Sequence, residues 1–224
     1  MKQIIILLVL ITFLGSCSKK SIKLPETENS DITEIIDVSA VYLFYDETKK
    51  DSLEFNRRNL ISTTNWLVNI DKRLTLKQIL PHLVYLQNKR TKDGMHKNEA
   101  AKNYFTCSNP SIENLAFIEF TDVVYHEDSF QVFLEKMNDD DEKQNITFFR
   151  FNNEKFITIG NRKIRIEDLE VYIQTLSLNE IIPLEVYLIF SENLSFQNYI
   201  TIKSLLLKLN LDKVIIESHE FIYN

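Results

Sequence analysis

Hydrophobic and polar positions follow two different periods along this chain, and each period predicts a type of element. Runs rich in β-branched and aromatic residues predict strands; they lie at 38–45, 66–70, 115–120, 146–151, 184–190 and 214–218. Apolar residues spaced three and four positions apart predict amphipathic helices; these patterns lie at 76–86, 129–137, 166–178 and 198–209. Helices and strands are therefore expected throughout the chain.

Two predicted hairpins each precede one of these helices. One is Phe156–Ile164, and a similar one is Trp66–Leu76, with its turn at Asp71 and Lys72. After each hairpin the order helix, strand, helix, strand follows, at an offset of roughly ninety residues, which is the pattern of an internal repeat.

The start of the first helix carries local signals of its own. Thr75 and Gln78 have the spacing of a capping box, in which each side chain bonds the other residue's backbone N–H. Pro81 lacks a backbone N–H, so it predicts either a kink or a late start of this helix.

The repeat predicts an α+β protein built from two tandem units, each with the order hairpin, helix, strand, helix, strand. We expect the first unit at residues 36–152 and the second at 153–224. The first unit carries a polar insertion at 88–114, and a loop of that length is usually functional or disordered.

The beginning of the chain has the features of a bacterial lipoprotein signal. A short basic start precedes the apolar run Ile4–Leu14, which is too short to span a bilayer but suits a signal peptide. The sequence Leu-Gly-Ser-Cys at 14–17 is similar to a lipobox. It predicts a signal peptide at 1–16, lipid on Cys17, and a polar tether at 17–35. An ordinary secretory leader with an accidental cysteine is the alternative.

Lipid on Cys17 predicts a place in the cell envelope. One acyl chain anchors a protein only marginally, whereas two or more hold it firmly on a membrane. The expected location is therefore the bacterial envelope, facing the periplasm. Ser18 rather than Asp follows the cysteine, which in some bacteria favours the outer membrane over the inner one. With Cys17 acylated, Cys107 is left alone and the mature chain can form no internal disulfide.

Charge and composition exclude several kinds of chemistry. A formal net charge of −6 makes nucleic acid an unsuitable partner. Three glycines in the whole chain exclude a glycine-rich phosphate loop. The four histidines lack the spacing of a metal cage, so we predict neither a metal nor a cofactor.

Two groups of polar residues are weak candidates for catalysis. His126-Glu127-Asp128 is the best local group, but adjacent residues do not face one ligand on a regular element, and a solvated loop is the favoured interpretation. Asp122 and Glu192 follow equivalent strands of the repeat, and duplication explains their recurrence without acid–base catalysis.

Five basic residues near or within the polar insertion form a candidate partner-binding site. Clustered positive charge can contact an anionic partner such as a cell-wall polymer, a lipid headgroup or an acidic protein. A flexible solvated loop is the alternative. The residues are Lys89, Arg90, Lys92, Lys97 and Lys102.

The second unit resembles the periplasmic domain of the ExbD/TolR family of biopolymer-transport proteins. The matching stretches are a glycine turn, a helix start, a strand with an acidic end and a helix exit: Ile159–Ile164, Arg165–Leu169, Tyr187–Asn193 and Lys208–Ile216. The resemblance implies a two-layer fold with helices on one face of a mixed sheet, and a periplasmic role in a proton-driven envelope motor. Because domains of this family commonly act as pairs, it also implies that the two units pack as an internal pseudo-dimer, so that the protein is a monomer. Family members also span the inner membrane with a helix that carries an acid, which Ile4–Leu14 lacks. Because an intramembrane carboxylate couples proton flow, this chain could keep only the periplasmic half of that role.

Together these features predict a membrane-anchored lipoprotein that is not an enzyme. We expect it to act as a protein- or cell-wall-interaction module beside a TonB- or Tol-type energy system. Its expected partners are the membrane, through Cys17, and an envelope protein or peptidoglycan. The alternatives are an envelope hydrolase with a site between the two units and a purely structural lipoprotein. Three polar residues that converge in a pocket between the units would favour the hydrolase.

Overall fold

Two mixed β-sheets and the helices packed on them make up the computed structural model. It describes residues 20–92, 98–126, 130–137, 145–153, 155–179, 183–209 and 213–223. Among the helices in these ranges, none combines the length and the apolar character needed to cross a membrane. The α+β class predicted from the sequence is confirmed.

Five strands form the first sheet: β1 (Val38–Tyr45), β2 (Leu53–Asn56), β3 (Asn65–Ile70), β4 (Asn103–Asn109) and β5 (Asn114–Glu119). Their order is β2-β1-β3-β4-β5. Strands β1, β3 and β4 are parallel, whereas β2 and β5 run antiparallel to their neighbours and form the two edges.

Six strands form the second sheet: β6 (Val124–His126), β7 (Ile146–Phe151), β8 (Phe156–Ile159), β9 (Arg162–Arg165), β10 (Leu184–Ser191) and β11 (Val214–Tyr223). Their order is β6-β11-β10-β7-β8-β9. The first four in this order are parallel, and β8 and β9 continue the sheet as an antiparallel hairpin. That hairpin is the one predicted at Phe156–Ile164.

The four α-helices are α1 (Leu76–Thr91), α2 (Phe130–Met137), α3 (Leu169–Asn179) and α4 (Phe196–Lys208). Helix α1 connects the parallel strands β3 and β4, and α4 connects β10 and β11 in the same way. Each of these two helices contacts both sheets, because α1 packs on β6 and β11 as well as on its own sheet. The ring of Tyr199 on α4 similarly meets Phe105 of β4 and Phe190 of β10. One hydrophobic core therefore spans both sheets.

Local signals fix where α1 and α4 begin. The Gln78 Oε1 accepts the Thr75 backbone N–H at 2.7 Å, which is one half of the predicted capping box. At the start of α4, Ser195 Oγ accepts the Asn198 N–H at 3.3 Å. Helix α1 begins at Leu76 and continues through Pro81, so the late start predicted as one possibility is wrong.

The predicted polar insertion at 88–114 is wrong, because most of it is regular structure. Helix α1 continues to Thr91, and β4 occupies Asn103–Asn109 between β3 and β5. Three of the polar side chains that suggested a loop are instead buried in this strand, namely Asn103, Thr106 and Asn109. The hydropathy of the sequence does not indicate which neighbours surround these buried polar side chains.

The predicted hairpin at Trp66–Leu76 is also wrong. Trp66 lies on β3, whose neighbours in the sheet are the parallel strands β1 and β4. Residues 71–75 form a loop, and Leu76 is the first residue of α1. The apolar residues Leu74 and Leu76 are buried because they enter the core at a helix start.

The predicted boundary at residue 152 does not coincide with the division between the sheets. Strand β7, expected to close the first unit, pairs with β10 and β8 in the second sheet. Strand β6 likewise pairs with β11. Helix α2 adds Phe130 to a small aromatic cluster with Tyr187 and Phe221 of the second sheet. The residues after β5 therefore belong to the second sheet.

The two sheets share a strand pattern, but its phase differs from that of the predicted repeat. The strands β2-β1-β3-β4 and β8-β7-β10-β11 share the same order and the same relative directions. The loop and helix start at 74–79 consequently correspond to 194–199, and Leu-Thr-Leu at 74–76 matches Leu-Ser-Phe at 194–196. Apolar spacing is common to all amphipathic helices, so it could not decide which helix matches which.

The two matching loops bind each other through their backbones. Leu76 N–H donates to Leu194 O at 2.9 Å, and Phe196 N–H donates to Leu74 O at 2.7 Å. One residue further along each helix, Lys77 N–H donates to Glu192 O at 2.9 Å and Gln197 N–H donates to Lys72 O at 3.2 Å. The first N–H groups of a helix have no partner within it, so each loop satisfies the helix of the other. We call this contact the junction.

The predicted free tether at 17–35 is wrong for its described part, because residues 20–32, which we call the strap, lie on the folded body. Lys23 N–H donates to the Asp71 carboxylate at 3.1 Å, and Phe117 N–H donates to Ile32 O at 3.0 Å. Between these ends, Thr27 N–H donates to Ser108 O at 2.9 Å.

The strap also contacts the second unit. Gln197 of α4 accepts the Glu26 N–H at 2.8 Å and donates back to the Glu26 carbonyl at 3.0 Å. Pro25 and Thr27 are buried by these contacts. The strap therefore crosses the junction and binds both of its sides.

Asp71 holds the strap to the loop before α1, and its removal is expected to loosen both. Burial by itself raises the pKa of Asp71, but hydrogen bonds from the Arg73 side chain and the Lys23 backbone outweigh it and hold the pKa below its usual range. Asp71→Asn should lower the free energy of unfolding by about 1–3 kcal/mol, measured by urea denaturation at pH 7. The wild-type advantage should disappear as the pH falls below 3.8, the ordinary Asp value.

The exposed Asp122 provides the control, since Asp122→Asn should change the stability very little. Equal stability of the Asp71 and Asp122 variants would show that Asp71 does not hold the strap.

Candidate functional site

A groove about 610 Å³ in volume runs between edge strand β2 and the first turns of α1. Its apolar residues are Leu53, Phe55 and Pro81. The Phe55 ring packs on His82 with centroids 4.5 Å apart and meets the Tyr85 ring edge-on at 5.9 Å. The groove therefore has an aromatic and apolar wall on both the strand side and the helix side.

Strand β2 is the last strand at this end of its sheet. It pairs with β1, and within the described residues no strand pairs with its other side. An edge strand presents backbone N–H and C=O groups to which another strand can bond. In several peptide-binding domains such an edge lies beside a helix, and the peptide adds to the sheet between them. The groove has this combination of edge and helix.

The turn between β1 and β2 fixes one end of the groove. Asp46 N–H donates to Ser52 O at 2.9 Å, which closes the turn. Asp51 and Ser52 both have a left-handed backbone, with φ of 55° and 52°. Gln78 Nε2 donates to the Asp51 carbonyl at 2.5 Å and so ties the turn to the first turn of α1. The turn and the start of α1 are thereby tied together at this end of the groove.

Positive charge predominates at the groove. Lys50 and Lys77 line it beside a single acid, Asp51, and Lys77 Nζ also contacts Glu192 at 2.8 Å. The Arg57 guanidinium lies 4.1 Å from the centre of the Tyr85 ring.

His82 does not add to this charge at neutral pH. Its burial and then the nearby charge of Arg57 lower its pKa below 6.5. The groove therefore differs from the chain as a whole, whose net charge is −6, in that basic residues outnumber acidic ones along it.

The described members of the basic set predicted to bind a partner differ in their surroundings. Arg90 is turned inward, with its guanidinium 3.6 Å from the centre of the Trp66 ring. It donates to Ser62 O at 2.9 Å and to Asn103 Oδ1 at 2.7 Å, and burial lowers its pKa to about 10. Arg90 therefore holds the loop at 61–65 and the start of β4.

Three of the other four basic residues of that set lie within the described residues, and their surroundings differ. Lys102 pairs with Glu119 at 2.9 Å, and this partner raises the pKa of Lys102. Lys89 and Lys92 lie at the end of α1, half-buried and exposed respectively. Lys97 lies outside the described residues. That the set binds a partner stays a prediction.

Only one of the two cysteines, Cys107, lies within the described residues. Cys107 is fully buried on β4, and burial raises the pKa of its thiol to about 12, so that the thiolate needed for nucleophilic chemistry does not form at neutral pH. Cys17, the predicted lipidation site, lies outside the described residues.

Two histidines meet in a pair that the sequence did not indicate, whereas the predicted carboxylates have separate surroundings. His126 Nε2 lies 2.7 Å from His219 Nδ1 across β6 and β11. Glu127 and Asp128, which stood beside His126 in the predicted group, lie outside the described residues. Asp122 is exposed in the turn after β5, while Glu192 bonds Lys77 at the junction. Within the described part of the chain, no group of three or more metal-binding side chains converges.

A buried polar network lies between the two sheets. The Glu220 carboxylate accepts the Tyr199 hydroxyl at 2.7 Å and the Lys203 ammonium at 2.5 Å. The Tyr125 hydroxyl lies 3.2 Å from that of Tyr199. Glu220 is 1% exposed, and both tyrosines are buried. Because the members bond one another inside the core, the network fixes α4 against β6 and β11.

Sequence reasoning missed both the groove and this network. The network unites residues from three distant segments, and no spacing signals it. The groove could have been suspected from Leu-Glu-Phe-Asn at 53–56, a short apolar and polar alternation between charged residues. Comparison of the chain with protein-family models, with curated proteins and with solved structures finds no match.

Replacing Arg90 should destabilise the protein, because Arg90 makes several hydrogen bonds inside the fold. Lysine keeps the charge but cannot reproduce the planar fork that stacks on Trp66 and reaches several oxygens. Arg90→Lys is therefore expected to lower the free energy of unfolding by about 1–3 kcal/mol, measured by urea denaturation. Lys92→Ala, on the exposed end of the same helix, should stay within about 0.5 kcal/mol of the wild type. Equal values for the two variants would contradict the structural role of Arg90.

The buried tyrosines should make the protein sensitive to alkali. Burial is the main cause that raises the pKa of Tyr125 and of Tyr199 well above 10.0. The folded state then keeps protons that the unfolded state loses, so stability is intact below about pH 10 and declines above it. Tyr125→Phe should reduce this decline, measured as the free energy of unfolding between neutral and alkaline pH. Tyr42→Phe, at a partly exposed position of β1, is the matched control and should leave the decline unchanged.

Proposed function

We propose that this chain is a lipid-anchored envelope protein that binds an extended segment of another protein and catalyses no reaction. The observation that carries this proposal is the groove between β2 and α1, where an unpaired strand edge lies beside Pro81 and His82 of the helix. An extended segment added to β2 would gain main-chain hydrogen bonds from the edge and place alternate side chains in the groove. Leu53, Phe55 and Pro81 would receive its apolar side chains.

Charge restricts the partner segment to an acidic one. Lys50 and Lys77 stand at the turn end of the groove, and Lys77 already shares its charge with Glu192. Lys50 is exposed, so it is the residue best placed to pair with a carboxylate of the segment. Complementary charge of this kind mainly steers the encounter and fixes the register of the bound strand.

Other parts of the proposal come from the sequence. The lipobox-like Leu-Gly-Ser-Cys at 14–17 supports lipid on Cys17 and a location in the bacterial envelope, with the outer membrane favoured. The shared strand order of the two sheets supports a duplicated unit, and the resemblance to ExbD/TolR domains suggests a place beside a TonB- or Tol-type system. On this proposal the chain is a monomer that contains an internal pseudo-dimer.

The alternative of an envelope hydrolase with a site between the units has less support. The polar residues that meet between the sheets are Tyr125, Tyr199, Lys203 and Glu220, and they bond one another in the core. A catalytic group must reach a substrate, whereas Glu220 is 1% exposed.

Groove binding can be tested first by cross-linking. A photo-reactive amino acid in place of the exposed Pro81 should join the groove to its partner in intact cells, and the cross-linked segment can be read by mass spectrometry. The same amino acid in place of Ser62, an exposed residue away from the groove, is the control. The proposal expects an extended, acidic segment at Pro81 only; a peptidoglycan adduct or identical products at both positions would refute it.

Substitutions of two adjacent lysines then distinguish binding in the groove from a general attraction between opposite charges. A peptide with the cross-linked sequence should bind Lys50→Glu about tenfold more weakly than wild type, equivalent to about 1.4 kcal/mol, because the new carboxylate repels the acidic segment. Lys49→Glu changes the net charge equally, but Lys49 does not line the groove. Calorimetric titration of the detergent-solubilised lipoprotein measures both. Equal weakening by the two variants would mean that the groove is not the binding site.

A further inference from the structure

The strap shortens the link between Cys17 and the folded body, and this determines which end of the protein can face a membrane. A free tether over 17–35 could extend by roughly 60 Å, at about 3.5 Å per residue. Lys23 is instead fixed by its backbone, since its N–H donates to Asp71 and its carbonyl accepts from Lys72 at 2.7 Å. The link from Cys17 to Lys23 can extend by only about 20 Å.

The strap has many partners, so its whole length resists release. Pro25 O accepts from Ser108 N–H at 2.8 Å, and Ser108 O accepts from Thr27 N–H at 2.9 Å, as in a pair of parallel strands. Ser30 Oγ donates to Phe117 O at 2.5 Å further along. Each buried backbone bond that opened would leave a polar group without its partner, so the short link persists.

Lys23 lies at a definite end of the molecule. Asp71, its partner, follows β3, and Asp71 N–H donates to Leu43 O near the end of the parallel strand β1. The side chain of Lys20 reaches Glu54 and comes within 3.9 Å of Asp46. The chain therefore leaves the body beside the turn at 46–52, which we call the anchor end.

We propose that the anchor end faces the lipid bilayer and that the groove takes a membrane-proximal segment of a membrane protein. This inference rests on the proposed lipid at Cys17. Lys50 and Asp51 belong both to the turn at the anchor end and to the groove. With the exit point held within about 20 Å of the membrane, the mouth of the groove lies in the layer where juxtamembrane segments run.

Charge at this end is compatible with a bilayer surface. Lys49 and Lys50 are exposed on the turn together with the acids Glu47 and Asp51, while Asp46 and Glu54 are paired with Lys20. Exposed lysines near a membrane are attracted by the phosphates of anionic lipids. The opposite end of β1 lies near Ser62, because Ile61 N–H donates to Ser39 Oγ at 3.1 Å. Strand geometry puts the two ends about 23 Å apart.

The orientation can be measured with fluorescent labels on the full-length lipoprotein in vesicles of phosphatidylethanolamine and phosphatidylglycerol. A label on Lys49→Cys reports the anchor end, and a label on Ser62→Cys reports the opposite end. Cys107 is buried and stays unlabelled. Quenching by lipids with a nitroxide headgroup should be clearly stronger at position 49 than at position 62.

Lengthening the link provides the decisive comparison. An insertion of about 20 Gly and Ser residues after Ser18 adds about 25 Å of root-mean-square reach and leaves the strap unchanged. It should abolish the difference in quenching between the two labels. Equal quenching at both positions in the original protein, or an unchanged difference after the insertion, would overturn the inferred orientation.

A failure of the proposed function can be distinguished from a failure of the inferred orientation. The intact mass of the purified protein shows whether Cys17 carries lipid, independently of its orientation. The occupant is tested by the segment cross-linked at Pro81, which should lie within a few residues of a membrane-spanning stretch. A segment from a protein without such a stretch would refute the membrane-proximal partner while leaving groove binding intact.

Discussion

The pairing of two helix starts is the contact on which the rest of this structure depends. The first N–H groups of α1 and α4 are bonded to carbonyls of the loop that leads into the other helix, at Leu194, Glu192, Leu74 and Lys72. Separation of the two sheets would expose all of these groups at once, together with the core around Phe105 and Tyr199. This reciprocal contact therefore joins the two sheets, because each loop completes the start of the other helix.

The strap and the groove are both arranged around that junction. Lys72 illustrates the connection, since its carbonyl accepts from Gln197 of α4 while its N–H donates to Lys23 of the strap. On the other side of the loop, Gln78 links the start of α1 to the turn that ends the groove. The same few residues thus position both the chain's exit toward the proposed lipid anchor and the surface proposed to bind a partner. On that proposal, a partner bound in the groove would be held close to the bilayer.

The strands and helices with clear apolar periodicity were predictable, and the errors have physical causes. Strand β4 was taken for a loop because its Asn and Thr side chains are polar, yet Asn103 is satisfied by Arg90 and Ser108 by the strap. Arg90 itself was assigned to a partner, although the Trp66 ring and several oxygens surround it. Residues 20–32 looked like a tether because their hydrogen bonds are made by the backbone, which leaves no trace in hydropathy.

The α+β class and most of the regular elements could be predicted from the sequence, because they depend on local propensity and on the period of apolar residues. The lipobox-like signal, on which the proposed envelope location rests, is also read from the sequence. The correspondence between the two sheets, the pairing of β7 with the second sheet and the docking of the strap depend instead on tertiary contacts. The groove likewise exists only where β2 meets α1. Contacts of this kind join residues that are distant along the chain, and single-chain periodicity contains no record of which distant segments become neighbours.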